Sequence, residues 1–173
     1  MKKRIGILIA SVVTIAGCAT VAADSDYGKE AMAMLKADFK SKGPATMERL
    51  LNQDEAQQLC SEYPTDVPKD KAAALEASQL KQVKYPADGK YLGDWKEGEK
   101  IAQNGRGMQS SDAVGSVNGG NCYACHQISK AEISFGNIGP SLYQYGKIRG
   151  QSEDMLKYTW AKIYNAQAFT ACS

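Results

Sequence analysis

The pentapeptide Cys122-Tyr123-Ala124-Cys125-His126 constrains this chain of 173 residues more than any other feature, and His126 is its only histidine. Two thiols three residues apart can add to the two vinyl groups of a haem, and the next residue then sits under the iron as proximal ligand. Competing uses of the motif need more than the chain offers. A zinc site takes about four ligands, and no second Cys-x-x-Cys or second His completes one. A thioredoxin-like redox pair requires no His after the second Cys. The reading is one covalent haem c, held by Cys122 and Cys125 and ligated by His126.

The first residues fit that chemistry, because bacterial haem attachment takes place outside the cytoplasm. Met1-Lys2-Lys3-Arg4 is followed by an apolar run from Ile5 to Gly17 and by small residues to Ala23. A basic start, a short apolar stretch and a small-residue end make residues 1–23 a targeting segment and not part of the fold. The run is too short for a good spanning helix. Two processing schemes stay open. Val21-Ala22-Ala23 fits the small-residue rule and would free Asp24, whereas Ile15-Ala16-Gly17-Cys18 resembles a lipoprotein box that would leave Cys18 acylated. Either scheme predicts a periplasmic protein, soluble or lipid-anchored.

Residues 1–23 hold three cations and no anions, so the rest of the chain has 18 basic residues against 19 acidic ones, a net charge of −1. The basic look of the whole chain belongs to its export signal, and nothing resembles a nucleic-acid footprint. Setting aside Cys18, Cys122 and Cys125 leaves Cys60 and Cys172. They form an even pair in an oxidising compartment, either bridged or two unrelated thiols; sequence does not show whether their Cα atoms approach.

Hydrophobic periodicity predicts helices throughout. Met32, Leu35 and Phe39 recur at helical spacing from Tyr27 to Lys42, ahead of Gly43-Pro44. A second helix is expected from Thr46 to about Glu62 and a third from Lys69 to about Val83. Between them, Tyr63-Pro64-Thr65-Asp66-Val67-Pro68 is a break. Asp94 with Glu97 three residues on reads as a capping box for a helix ending near Gln103. Residues 105–121 read as a Gly-, Ser- and Asn-rich loop. Met155, Leu156, Trp160 and Ile163 mark a last helix from about Glu153 to Asn165. No segment reads as a strand, so the class is all-α: residues 24–88 form a helical extension and residues 89–173 the haem-bearing domain.

Ile138-Gly139-Pro140-Ser141-Leu142 lies 12 to 16 residues beyond His126. In class I cytochromes c a Gly-Pro-x-Leu segment follows the haem motif, and its Pro carbonyl accepts the proximal His Nδ1–H. Such a bond fixes the ring and its tautomer, and proline presents that carbonyl from a fixed φ. Pro140 therefore joins Cys122, Cys125 and His126 as a candidate site residue.

Asn118-Gly119-Gly120-Asn121-Cys122-Tyr123-Ala124-Cys125-His126-Gln127 resembles the SoxX family, the monohaem subunit of the SoxAX cytochrome. Gly136-Asn137-Ile138-Gly139-Pro140-Ser141-Leu142, Tyr145-Gly146-Lys147-Ile148-Arg149-Gly150 and Lys157-Tyr158-Thr159-Trp160 extend the likeness. Lys162-Ile163-Tyr164-Asn165 and Ala171-Cys172-Ser173 carry it to the last residue. It covers roughly Leu92 onward. The resemblance implies a class I cytochrome c-like domain that serves as the electron-accepting haem subunit of a thiosulfate-oxidising complex. That complex, an L-cysteine S-thiosulfotransferase, joins thiosulfate to a cysteine of a SoxYZ-like carrier protein. Its chemistry is expected on a SoxA-like partner, with electrons passing on to a small acceptor cytochrome c and no catalytic residue in this chain.

In the family a Met-Pro-Arg-Phe-Gly segment follows the Ala-Cys-Ser, and its Met is the sixth iron ligand; that Met is expected beyond Ser173. Met155, at helical spacing with Leu156 and Trp160, reads as core, and Met108 as an incidental loop residue, so the distal ligand is left unassigned. Two other functions fit the same motif: a free-standing monohaem electron carrier, and a haem-based binder of small ligands.

Overall fold

The computed structural model describes residues 27–172, so the targeting segment and both processing schemes, Cys18 included, lie outside the described residues. Among the described residues there is no strand, only an isolated bridge between Lys42 and Ala45, and the class is all-α. No described helix is long and apolar enough to cross a membrane. The chain divides into two compact parts, one ending at Asp38 and the other beginning at Phe39.

The first part is represented by α1 (Tyr27–Asp38), with Glu30 in its first turn and Lys36 in its last, the favourable sense for the helix dipole. It stops four residues short of the expected Lys42. There Lys42 and Ala45 exchange backbone hydrogen bonds of 2.9 and 3.1 Å around Gly43, whose φ is +54°.

In the second part, the helix expected from Thr46 to Glu62 is two helices, α2 (Met47–Leu51) and α3 (Glu55–Glu62). Asp54 causes the break. Its carboxylate accepts from Gln57 N at 2.8 Å while Gln57 Oε1 accepts from Asp54 N at 2.9 Å. This reciprocal cap satisfies donors that a continuous helix would have used internally. α4 (Lys69–Lys81) follows Pro68, as expected, and buries Leu75 and Gln79. α5 (Trp95–Gln103) is capped by Asp94, which accepts from Lys96 N. The cap stands, but Glu97 does not reach back to close a box; it pairs with Lys100 one turn on, at 2.7 Å. A single-turn helix, α6 (Tyr145–Arg149), has no counterpart in the sequence reading. α7 (Glu153–Tyr164) starts at the Ser152 cap and buries Ala161, and a 3-10 turn, Ala166–Ala168, is the last described element.

That last turn packs on α4 and α7. Val83, Ala161 and Ala168 are buried together there, with Trp160 and Phe169 against them. Polar groups close the same seam: Trp160 Nε1 donates to Lys84 O at 3.0 Å, and Asn165 Nδ2 donates to Gln79 Oε1 at 2.9 Å. Ala171 N donates to Glu76 Oε1 at 3.0 Å. Cys60, on α3, and Cys172 are joined as a disulfide with their Cα atoms 5.3 Å apart. Of the two readings left open by the sequence, the bridged one holds.

Candidate functional site

Cys122, Tyr123 and Ala124 form a 3-10 turn that opens at Asn121, held in the left-handed region at φ +48°. Asn tolerates that conformation better than most residues, and the loop needs it in order to reverse into the motif. The turn is tied to the end of α5 by its own backbone. Gly120 N donates to Ile101 O at 2.8 Å and Asn121 N to Asn104 O at 3.0 Å, while His126 N closes the turn itself on Cys122 O at 2.9 Å. Gln103 at the end of α5 also donates to Glu132, beyond the motif, at 2.7 Å.

On its other side the motif is strapped by residues 136–142. Gly136 N donates to Tyr123 O at 2.8 Å, Gly139 N to Cys125 O at 2.9 Å and Leu142 N to Gln127 O at 2.7 Å. Glycine is required at both close crossings of the strap: a β-carbon at Gly136 would overlap the Ala124 carbonyl, and one at Gly139 the His126 imidazole.

Within this frame His126 Nδ1 lies 2.7 Å from Pro140 O. A carbonyl only accepts, so Nδ1 carries the proton and the neutral ring keeps its lone pair on Nε2. His126 is half-buried, and Cys122 and Cys125 are free thiols, also half-buried. The structure therefore brings the four residues singled out from the sequence onto one turn and its strap. Partial burial holds the Tyr123 phenol above its ordinary value, and the Glu132 and Glu99 carboxylates push the same way; the side chain between the two thiols is a neutral hydroxyl at neutral pH.

The donor set fits a c-type haem: two unpaired thiols, and one imidazole fixed through Nδ1 with Nε2 free. Val114 and Val117 before the motif, and Ile133 and Ile138 after it, are all at least 79 % exposed. An open hollow of about 320 Å³ lies beside the turn, lined by Tyr123, Ala124, Ser134, Phe135 and Gly136. Among the described residues no group of three or more His, Cys, Asp or Glu is placed to hold a metal ion.

Met155 Sδ is 3.5 Å from the Tyr145 hydroxyl, whose oxygen lies 3.4 Å from Thr159 Oγ1, and it is half-buried on α7. Met108 sits in the Gly-rich loop at φ +60°, and its carbonyl accepts from Arg49 at 3.0 Å. Two side chains were given no role from the sequence and prove to belong to the strap: the Ser141 hydroxyl donates to Gln127 Oε1 at 2.8 Å. Nothing in the sequence marks them beyond their places, one residue after His126 and one after Pro140.

Fold and site together define an all-α protein built round a Cys-x-x-Cys-His turn strapped by a Gly-Pro-Ser-Leu segment. No protein-family model matches the chain. It is 35% identical over 158 residues to a protein of Aquifex aeolicus (strain VF5) described as an uncharacterized lipoprotein, an alignment covering 90% of this chain and 75% of the relative. The chain belongs to the family of that Aquifex protein.

Proposed function

We propose that this protein is an exported c-type cytochrome of class I architecture, and that it is the electron-accepting haem subunit of a SoxAX-like thiosulfate-oxidising complex. The observation that carries the cytochrome reading is the 2.7 Å contact between His126 Nδ1 and Pro140 O, set beside two free thiols at the attachment spacing. The oxidative role rests on the resemblance of the linked motifs from Leu92 onward.

When bound, haem c supplies a one-electron Fe(III)/Fe(II) couple. The chain's residues do the holding. Cys122 and Cys125 would form the thioethers, and His126 would offer Nε2 while its Nδ1–H is held by Pro140 O. That bond raises the basicity of the ligand and fixes the ring's orientation. On this reading His126 is a redox ligand and not an acid–base group. Coupling thiosulfate to a carrier thiol releases two electrons and a proton; the proposed place of this chain is the electron exit, with the substrate site on a SoxA-like partner and a small cytochrome c as acceptor.

Export follows from residues 1–23. The relative's description as a lipoprotein favours processing at Ile15-Ala16-Gly17-Cys18, which would leave the protein on the periplasmic side of a membrane, tethered through Cys18. Mass analysis of the N-terminal peptide distinguishes an acylated Cys18 from a free Asp24.

The attachment test is direct. Colour should survive acid–acetone extraction, and a pyridine haemochrome should show the band position of a haem joined by two thioethers. Replacing both Cys122 and Cys125 by Ala should make the haem extractable; extraction-resistant haem in that variant would overturn the assignment.

A further inference from the structure

The hydrogen bond from His126 to Pro140 has a second rung beside it. The residue after the imidazole and the residue after the carbonyl also meet, the Ser141 hydroxyl donating to Gln127 Oε1 at 2.8 Å. Ser141 Oγ accepts in turn from Tyr143 N at 3.2 Å, which uses a lone pair and leaves the hydroxyl proton for Gln127. The Pro140 carbonyl belongs to the same rigid peptide plane as the Ser141 Cα. Whatever holds Ser141 therefore holds the direction of the carbonyl that orients the imidazole. Gly139 N, bonded to Cys125 O at 2.9 Å, pins the chain on the other side of Pro140.

We propose that Gln127 and Ser141 are positioning residues for the proximal imidazole, and that their hydrogen bond sets how strongly His126 donates to the haem iron. This rests on the haem reading above. The direction follows from ligand basicity. A well-aligned Nδ1–H···O=C bond makes the imidazole a stronger donor and favours ferric iron. Loss of the second rung lets the carbonyl swing, weakens that bond and favours ferrous iron. The backbone bond from Leu142 N to Gln127 O, 2.7 Å, survives either side-chain change, so the strap stays in place.

The test uses the haem-loaded protein and its reduction potential by spectroelectrochemical titration. Ser141→Ala and Gln127→Leu should each shift the potential positively. The double variant should go no further than the larger single shift, because the two act through one contact. Ser141→Thr, which keeps the hydroxyl, should hold the parental value. An unchanged potential in either single variant, a double shift equal to the sum, or a threonine variant behaving like alanine would overturn the proposal. A parent with no covalent haem by pyridine haemochrome would remove the cytochrome reading and this proposal with it, whereas a haem-loaded parent with an insensitive potential removes this proposal alone.

Discussion

At the scale of single residues, the site turns on how little room the strap leaves around His126. A β-carbon at Gly139 would overlap the imidazole, so in the proposed cytochrome Gly139→Ala should keep the haem attached through its thioethers but displace the proximal ring. The expected sign is an altered spin state in the absorption spectrum, and an unchanged spectrum would show that the ring is free to move. Pro140→Ala keeps the carbonyl but releases its fixed φ. It should change the potential more than the melting temperature, since outer-shell partners at metal sites typically matter about 10–100-fold in affinity or activity. The His126–Pro140 pairing is legible only through the resemblance to class I cytochromes c, in which a Gly-Pro-x-Leu segment follows the haem motif; alone, Gly139-Pro140-Ser141-Leu142 reads as a turn. The Gln127–Ser141 contact is not legible, since a glutamine and a serine on the surface of a loop have many ordinary uses.

Among the elements, capping decides where helices begin, and the sequence shows only some of the caps. Asp94 and Ser152 cap α5 and α7, and Asp94 was visible as a cap. Asp54 was hidden inside a run whose apolar spacing looked continuous, although its box with Gln57 ends one helix and starts another. Periodicity averages over a window, while a cap is a local competition for backbone donors. Asp54→Ala should therefore cost about 0.5–2 kcal/mol, read as a lower urea midpoint with an unchanged slope. No loss of stability would mean that α3 holds its start by packing alone. α6 escaped notice because five residues, with Gly146 inside and Gly150 after it, present too short a pattern for periodicity to register.

For the whole molecule, elements from both sides of residue 88, where the sequence grammar changes, are in contact. α4, from the N-terminal side of that boundary, packs against the last 3-10 turn, and the disulfide joins α3 to Cys172 across a sequence separation of 112. Composition and compartment left the cysteines an even pair; only the fold shows that they meet. Replacing both Cys60 and Cys172 by Ser should cost about 3–5 kcal/mol in the chain-entropy picture, measured by denaturant unfolding. Free alkylatable thiols at both positions in the exported protein would end the pairing. The proposed role is tested by reconstitution: thiosulfate and a carrier thiol should reduce acceptor cytochrome only when this protein and its SoxA-like partner are both present. Comparable turnover by this protein alone would make its own iron the catalytic site.

The bridge between Cys60 and Cys172 also imposes an order on maturation. A chain exported from its N-terminus delivers Cys60 first, then Cys122 and Cys125, and Cys172 last. Four cysteines allow three complete pairings, and an oxidant acting on the emerging chain meets the haem thiols before the native partner of Cys60 arrives. On the proposed haem reading, productive assembly therefore requires Cys122 and Cys125 to be kept reduced, or already joined to haem, until Cys172 has crossed. Cells lacking a disulfide isomerase should accumulate haem-free chains carrying a Cys60–Cys122 or Cys60–Cys125 bridge, identifiable by peptide mapping without reduction.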